Sequence, residues 1–245
     1  MLYKEWILVR KKLIFLVAIY GLGALGMATM GAPRYYDENP VKPFFTWLLM
    51  AQAITFAAAI LGGADSFAEE TDKGTMGFLL THPVGRARIY LIKLALNCGA
   101  FIVALLTSSL VMFLVDQLPR NHVVYTYTYN NCGIEQGQVS GSAPNQITSL
   151  PEAFTGVISN LLIGITLLCL AMLISIYART TVNAIMFTII AILLLALSII
   201  LFNGNFSRRS IDFSTVVSFQ LVPYFLPLLV VLFVAGLVSF KFREF

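Results

Sequence analysis

The sequence predicts an all-α integral membrane protein with six transmembrane helices, an N-terminal amphipathic interfacial helix and a short cytoplasmic helix between spans two and three. The first supporting observation is composition. Of 245 residues, 58% are hydrophobic and only 11% are charged, whereas soluble domains carry roughly a quarter charged residues. The second is the distribution of those charges, which leaves six uncharged apolar runs at about 13–33, 44–64, 94–115, 155–177, 182–203 and 224–240. About 20 apolar residues cross about 30 Å of hydrocarbon. No water is available there, so each run must satisfy its own backbone as a helix. The third is the bias of the basic residues towards one side.

With the N-terminus inside, the inner segments hold Lys4, Arg10, Lys11, Lys12, Lys73, Arg86, Arg88, Lys93, Arg179, Lys241 and Arg243. The outer segments hold only Arg34, Lys42, Arg120, Arg208 and Arg209. The positive-inside rule then places both termini in the cytoplasm of a plasma or inner membrane. The formal net charge of +4 is accounted for by topology, so no nucleic-acid partner is expected.

In order along the chain, residues 1–12 set Leu2, Trp6, Val9 and Leu13 on one helical stripe, with Lys4, Glu5, Lys11 and Lys12 away from it. That pattern predicts a helix lying in the inner interface with Trp6 at headgroup depth. The first apolar run reads as a retained span: it is long for a leader, and no clear small-residue cleavage site follows. Gly21, Gly23, Ala24, Gly26, Ala28 and Ala32 permit close helix approach. Aromatic residues at the run ends, among them Phe44, Phe45, Trp47, Tyr90, Tyr177 and Tyr224, are expected as interfacial anchors. The outer loop, 116–152, contains Tyr125-Thr-Tyr-Thr-Tyr129, whose alternation suggests a short extended piece. Spans four and five are joined by a tight inner turn at 178–181. Pro223 and Pro227 start the last span near Tyr224, with 213–222 lying at the interface.

Enzyme chemistry finds no support. His82 and His122 fall on opposite sides, and there is no H-E-x-x-H, no G-x-S-x-G and no pair of carboxylates within a span. No Gly-Lys dipeptide occurs, which excludes a Walker A phosphate loop. Cys98, Cys132 and Cys169 show no metal or disulfide spacing. The polar residues at depth, Gln52, Asn97, Asn160 and Asn183, are neutral and expected to bond between helices. Asp65 anchors the start of the connector.

The connector, 65–88, is the one charge-dense interruption between spans. Glu69, Glu70 and Asp72 read as the acidic start of a short helix, followed by Lys73-Gly74-Thr75 and the apolar Phe78, Leu79 and Leu80. His82-Pro83 ends it, and Arg86 leads on towards Lys93. Topology requires only Lys and Arg, so this ordered acidic, Gly-Thr, Leu-Leu, Pro, Arg series calls for a further explanation.

The series resembles the ABC-2 type permeases, the membrane subunits of a class of ABC transporters. Their hallmark is an acidic residue, three residues, Gly-Thr, then Leu-Leu, Pro, a small residue and Arg, with Lys in the third span. The N-terminal Lys4-Glu5-Trp6 and Arg10 are similar to the family's interfacial elbow helix. The resemblance covers the whole chain and implies a permease that pairs with a second copy or homologue. It also implies cytoplasmic ATPase subunits that bind ATP and Mg, the chain itself holding no cofactor or metal. The connector would be a coupling helix seated on the ATPase. Glu69, Glu70, Asp72 and Lys73 would be its polar contacts, and Phe78, Leu79 and Leu80 its packing face. Gly74, Thr75 and Pro83 would shape it, and Arg86 and Lys93 would hold it at the headgroups. Spans one, two and five would line the path. Export is expected, because nothing resembles a docking site for a binding protein. The alternative is a non-transporting membrane partner that transmits force from an ABC ATPase.

Overall fold

A computed structural model describes residues 2–30, 43–75, 85–117, 123–128, 138–143, 148–202 and 222–242. Among these are six helices: α1 (Leu2–Met30), α2 (Pro43–Asp72), α3 (Arg86–Asp116), α4 (Leu150–Tyr177), α5 (Thr181–Phe202) and α6 (Val222–Phe242). Between α3 and α4 lies an antiparallel hairpin of β1 (Val123–Thr128) and β2 (Gln138–Ala143). The Tyr/Thr alternation thus forms an extended strand. Four of the helices, α2, α3, α4 and α6, have described stretches long and apolar enough to cross a membrane. The shorter stretch Thr181–Leu195 of α5 is also apolar.

Successive helices alternate in direction. One end of the bundle collects Lys12, Asp65, Lys93, Ser175, Ala178 and Phe240, joined by side-chain contacts. The other end packs Phe44 edge-on against Phe113 at 6.0 Å and bonds the Asn160 amide to Leu48 O at 3.0 Å. There the Asp116 carboxylate accepts the Thr148 N–H at 3.1 Å, pinning the two feet of the hairpin connection together. Glu152 returns to the Ser149 N–H at 3.1 Å and starts α4. The tight turn before α5 is as expected, with the Asn183 N–H donating to Thr180 Oγ1 at 3.3 Å.

Two expectations change. The backbone of α1 runs through Lys4, Glu5 and Trp6 into the first apolar run without a break, so residues 2–12 are the opening turns of α1 and not a separate helix. Neither Pro nor Gly occurs before Gly21 to interrupt it. Likewise α2 continues to Asp72 instead of stopping at Ala64. Glu69, Glu70 and Asp72 therefore stand at a helix C-terminus, the reverse of the N-terminal placement their charge suggested. Neighbouring lysines offset that unfavourable position, as described below.

The core forms on α2 and α4, which make the most extensive helix contact among the described residues. A Cβ on Gly63 would lie 2.4 Å from Ala171 Cβ, so only glycine lets these backbones approach so closely. One turn on, the Ser175 hydroxyl donates to Ala64 O at 2.7 Å. It accepts the Phe67 N–H at 3.0 Å and the Ala68 N–H at 2.9 Å. A single side chain on α4 thus holds the last turns of α2.

The aromatic anchors are also revised. Phe44, Trp47 and Tyr90 are buried in the core, while Tyr177 is exposed. Tyr90 stacks on Phe67 with centroids 6.0 Å apart, and Gly236 leaves room for its phenol on α6. Tyr20 reaches Thr55 Oγ1 at 2.7 Å. Thr55 spends its own proton on Ala51 O, so the phenol is the donor. Tyr20 also packs edge-on against Trp47, which closes α1 onto α2.

Candidate functional site

The charged end is built on the close of α2. Gly74 adopts φ +67°, a left-handed conformation that only glycine takes without penalty. The Gly74 N–H donates to Thr71 O at 3.1 Å and the Thr75 N–H to Glu70 O at 2.9 Å. This is a Schellman motif, with Gly74 as the residue just past the cap. The Thr75 hydroxyl also reaches Glu70 O at 3.3 Å. The spacing of an acidic residue, three residues and Gly-Thr therefore has a mechanical meaning: Thr75 closes back onto the carbonyl of Glu70 itself. Replacing Gly74 with Ala is expected to lower stability by about 1–2 kcal/mol, and Gly74→Asn by less. Thermal unfolding in nanodiscs measures both.

The side chains of this turn diverge. Glu69 and Lys73 pair along the exposed face, one turn apart. That hydrogen bond, with the charge of Glu69 and the nearby Asp65 and Asp72, holds the Lys73 ammonium above its usual pKa. Asp72 is exposed. Glu70 instead turns inward, where its Oε2 lies 3.1 Å from Lys93 Nζ, with the two side chains only 12% and 6% exposed. The alignment falls short of a hydrogen bond, so the attraction is coulombic. Lys93 satisfies itself elsewhere, donating to Ser66 O at 2.6 Å and lying 5.1 Å from the centroid of the Phe67 ring. Asn97 continues the link, donating to Ser66 Oγ at 3.1 Å. On the other flank Lys12 of α1 meets Asp65 at 2.8 Å.

In the structure Lys93 and Glu70 face each other, both largely buried. Together they clamp α3 to the end of α2. Lys93 stands two turns inside α3, among its buried residues. Arg86 is half-buried at the start of α3. Arg10 is exposed on α1. Phe78, Leu79, Leu80 and Pro83 lie outside the described residues.

Behind the charged end a cavity of about 590 Å³ opens among α1, α2, α3, α4 and α5. Its wall is apolar except for Lys12, Asp65, Asn97 and Thr181. A polar recess of about 230 Å³ adjoins it on the side of Glu69, Glu70 and Lys73. Lys12, Asp65 and Asn97 line both spaces.

Residues 11–205 match the family model described as ABC-2 family transporter protein. The chain belongs to this family. It is thus a multi-pass membrane permease of the ABC transporter type, as the connector motif indicated. No individual curated protein matches the chain. Within this permease the motif residues Glu70, Gly74, Thr75 and Lys93 form one assembly that ends α2 and fixes it to α3. Sequence reasoning missed Ser66, Phe67, Ser175 and the partnership of Lys12 with Asp65. Gly63, Ser66, Phe67 and Glu70 follow helical spacing, and that stripe was the signal that α2 continues buried past Ala64.

Proposed function

We propose that this permease is the membrane-spanning subunit of an ATP-driven exporter that works as a dimer with separate cytoplasmic ATPase subunits. In this reading all six helices cross the bilayer, the charged end faces the cytoplasm of the cell membrane, and both termini lie there. ATP and Mg are bound by the partner, since this chain has no phosphate loop. The observation that carries the proposal is the rigid end of α2. Glu70 is turned in to Lys93, the Schellman turn fixes the exit of the chain, and Glu69, Asp72 and Lys73 project outward as a compact polar surface. A post held in this way transmits force without bending. Residues 76–84 follow it directly and, with Phe78, Leu79 and Leu80, complete the coupling element. A cavity meeting the same end at Lys12 and Asp65 favours a transporting role over a force-transmitting partner without a path.

Reversing the two outward acids, Glu69→Lys with Asp72→Lys, is expected to weaken ATPase binding or coupling at least about tenfold, a loss of about 1.4 kcal/mol. The unfolding temperature of the permease should change little, because both side chains are at the surface. Co-purification and permease-dependent ATP hydrolysis in proteoliposomes measure this. Normal coupling in the double variant sinks the assignment. Flux into vesicles with and without ATPase separates the exporter from the force-transmitting alternative.

A further inference from the structure

The polarity of the large cavity runs one way. On α2, Ala53, Ala57, Leu61 and Asp65 recur every four residues, lining the cavity. On α1, Lys12, Leu16 and Ile19 line it at steps of four and three residues. On both helices the charged residue stands at the charged end and the apolar residues stand deeper. The same holds on α3 for Asn97 and Phe101. The space exists because α2 presents alanines, Ala53 and Ala57 among them, to this wall; at Gly164 of α4 the room is taken by the Phe101 ring, which packs against the backbone there.

We propose that this cavity is the substrate site and that it takes a single-chain zwitterionic amphiphile, head group at Lys12 and Asp65, apolar chain along Ala57 and Ala53. The proposal rests on the permease reading for the word substrate; binding itself needs no ATPase. A hydrophilic chain would leave its polar groups unpaired along most of this wall, at about 1–3 kcal/mol each. A bare ion would find no ligand beyond the mouth. The volume of about 590 Å³ falls within the roughly 300–1,000 Å³ of drug-sized ligand sites, which suits one chain and not a polymer.

The mouth selects the head group. Lys12 and Asp65 lie 2.8 Å apart with side chains 31% and 27% exposed, open enough for exchange yet beside an apolar wall. A singly charged head would pair with one of them and strip the other of its partner. A zwitterion supplies each with a replacement, so neither charge is left alone in a low-dielectric setting.

The test uses the full purified chain in nanodiscs, with bound probe counted by native mass spectrometry. The probes are lysophosphatidylcholine, the anionic lysophosphatidylglycerol and a cationic alkyltrimethylammonium of equal chain length. Lysophosphatidylcholine should bind at least about tenfold more tightly than either. Ala57→Phe, at a position whose side chain already faces open space, should weaken it by at least the same factor. Ala53→Phe serves as a second filler if the first does not fold. Lys12→Gln should move the preference to the cationic probe, and Asp65→Asn to the anionic one.

Equal binding of the three probes, or unchanged binding in both filled variants, overturns the proposal. So does a filled variant that changes oligomeric state while probe binding persists, since a second copy would then cover this face. Selective probe binding together with an ATPase unaffected by the Glu69 and Asp72 reversal would refute the coupling reading alone. Coupled ATPase without selective binding would refute this one alone.

Discussion

Lys93→Met is expected to destabilise the permease by about 3–5 kcal/mol, the range for removing one partner of a buried ion pair. The Glu70 carboxylate, 12% exposed, would be left without its cation, and the Phe67 ring would lose the ammonium 5.1 Å from its centroid. Ser66 O would lose its 2.6 Å donor as well. Glu70→Leu alone leaves the Lys93 ammonium with Ser66 O and the aromatic face, so its effect should be smaller. The double variant, Lys93→Met with Glu70→Leu, should be clearly more stable than the sum of the single losses predicts. Thermal unfolding of the four proteins in nanodiscs completes the cycle. Strict additivity would show that the two charges do not interact, and that the clamp between α2 and α3 is only the bond to Ser66.

Gly63→Ala is the second large effect. Its Cβ would stand 2.4 Å from Ala171 Cβ and 3.0 Å from Leu168 O. Neither of these is the tip of a flexible side chain, so α2 and α4 must separate. Overpacking of this kind costs about 1–3 kcal/mol. The displacement would also pull Ser175 from the Phe67 and Ala68 N–H groups one turn away. Ala171→Gly, combined with Gly63→Ala, exchanges the position of the methyl and should recover most of the loss. Failure of that exchange to rescue would place the strain elsewhere, at Leu168 O.

These two contacts show how much was legible beforehand. The helices α3 and α4 end near the expected limits of 115 and 177, but they start at Arg86 and Leu150, ahead of the expected 94 and 155. The matching ends are local: a charge leaves the hydrocarbon wherever it falls in the chain. The interhelical role expected of Asn97 and Asn160 is present for the same reason, since an amide at depth must find a partner. The burial of Trp47 and Tyr90 was not legible. An aromatic ring near the end of an apolar run suits an interface or a core equally well, and helix packing decides between them. The acidic cluster misled because the dipole preference for acids at an N-terminus is weak, and here Lys73 and Lys93 offset it. Only the hydrogen bonds of Gly74 and Thr75 place it at a C-terminus.

The sequence by itself determined the membrane class, the helical state of the apolar runs and the family. Each follows from demands that every residue meets locally: apolar transfer, backbone hydrogen bonding in hydrocarbon, and an ordered motif. Tertiary structure alone decided that Glu70 faces in while Glu69 and Asp72 face out, that Lys12 partners Asp65, and that alanines on α2 border a cavity. Those outcomes depend on the rotation and spacing of helices whose contacting residues are far apart in the chain, as Ala64 and Ser175 are at a separation of 111 residues. Periodicity gives the face of one helix, but the partner of that face is chosen by packing across the whole bundle.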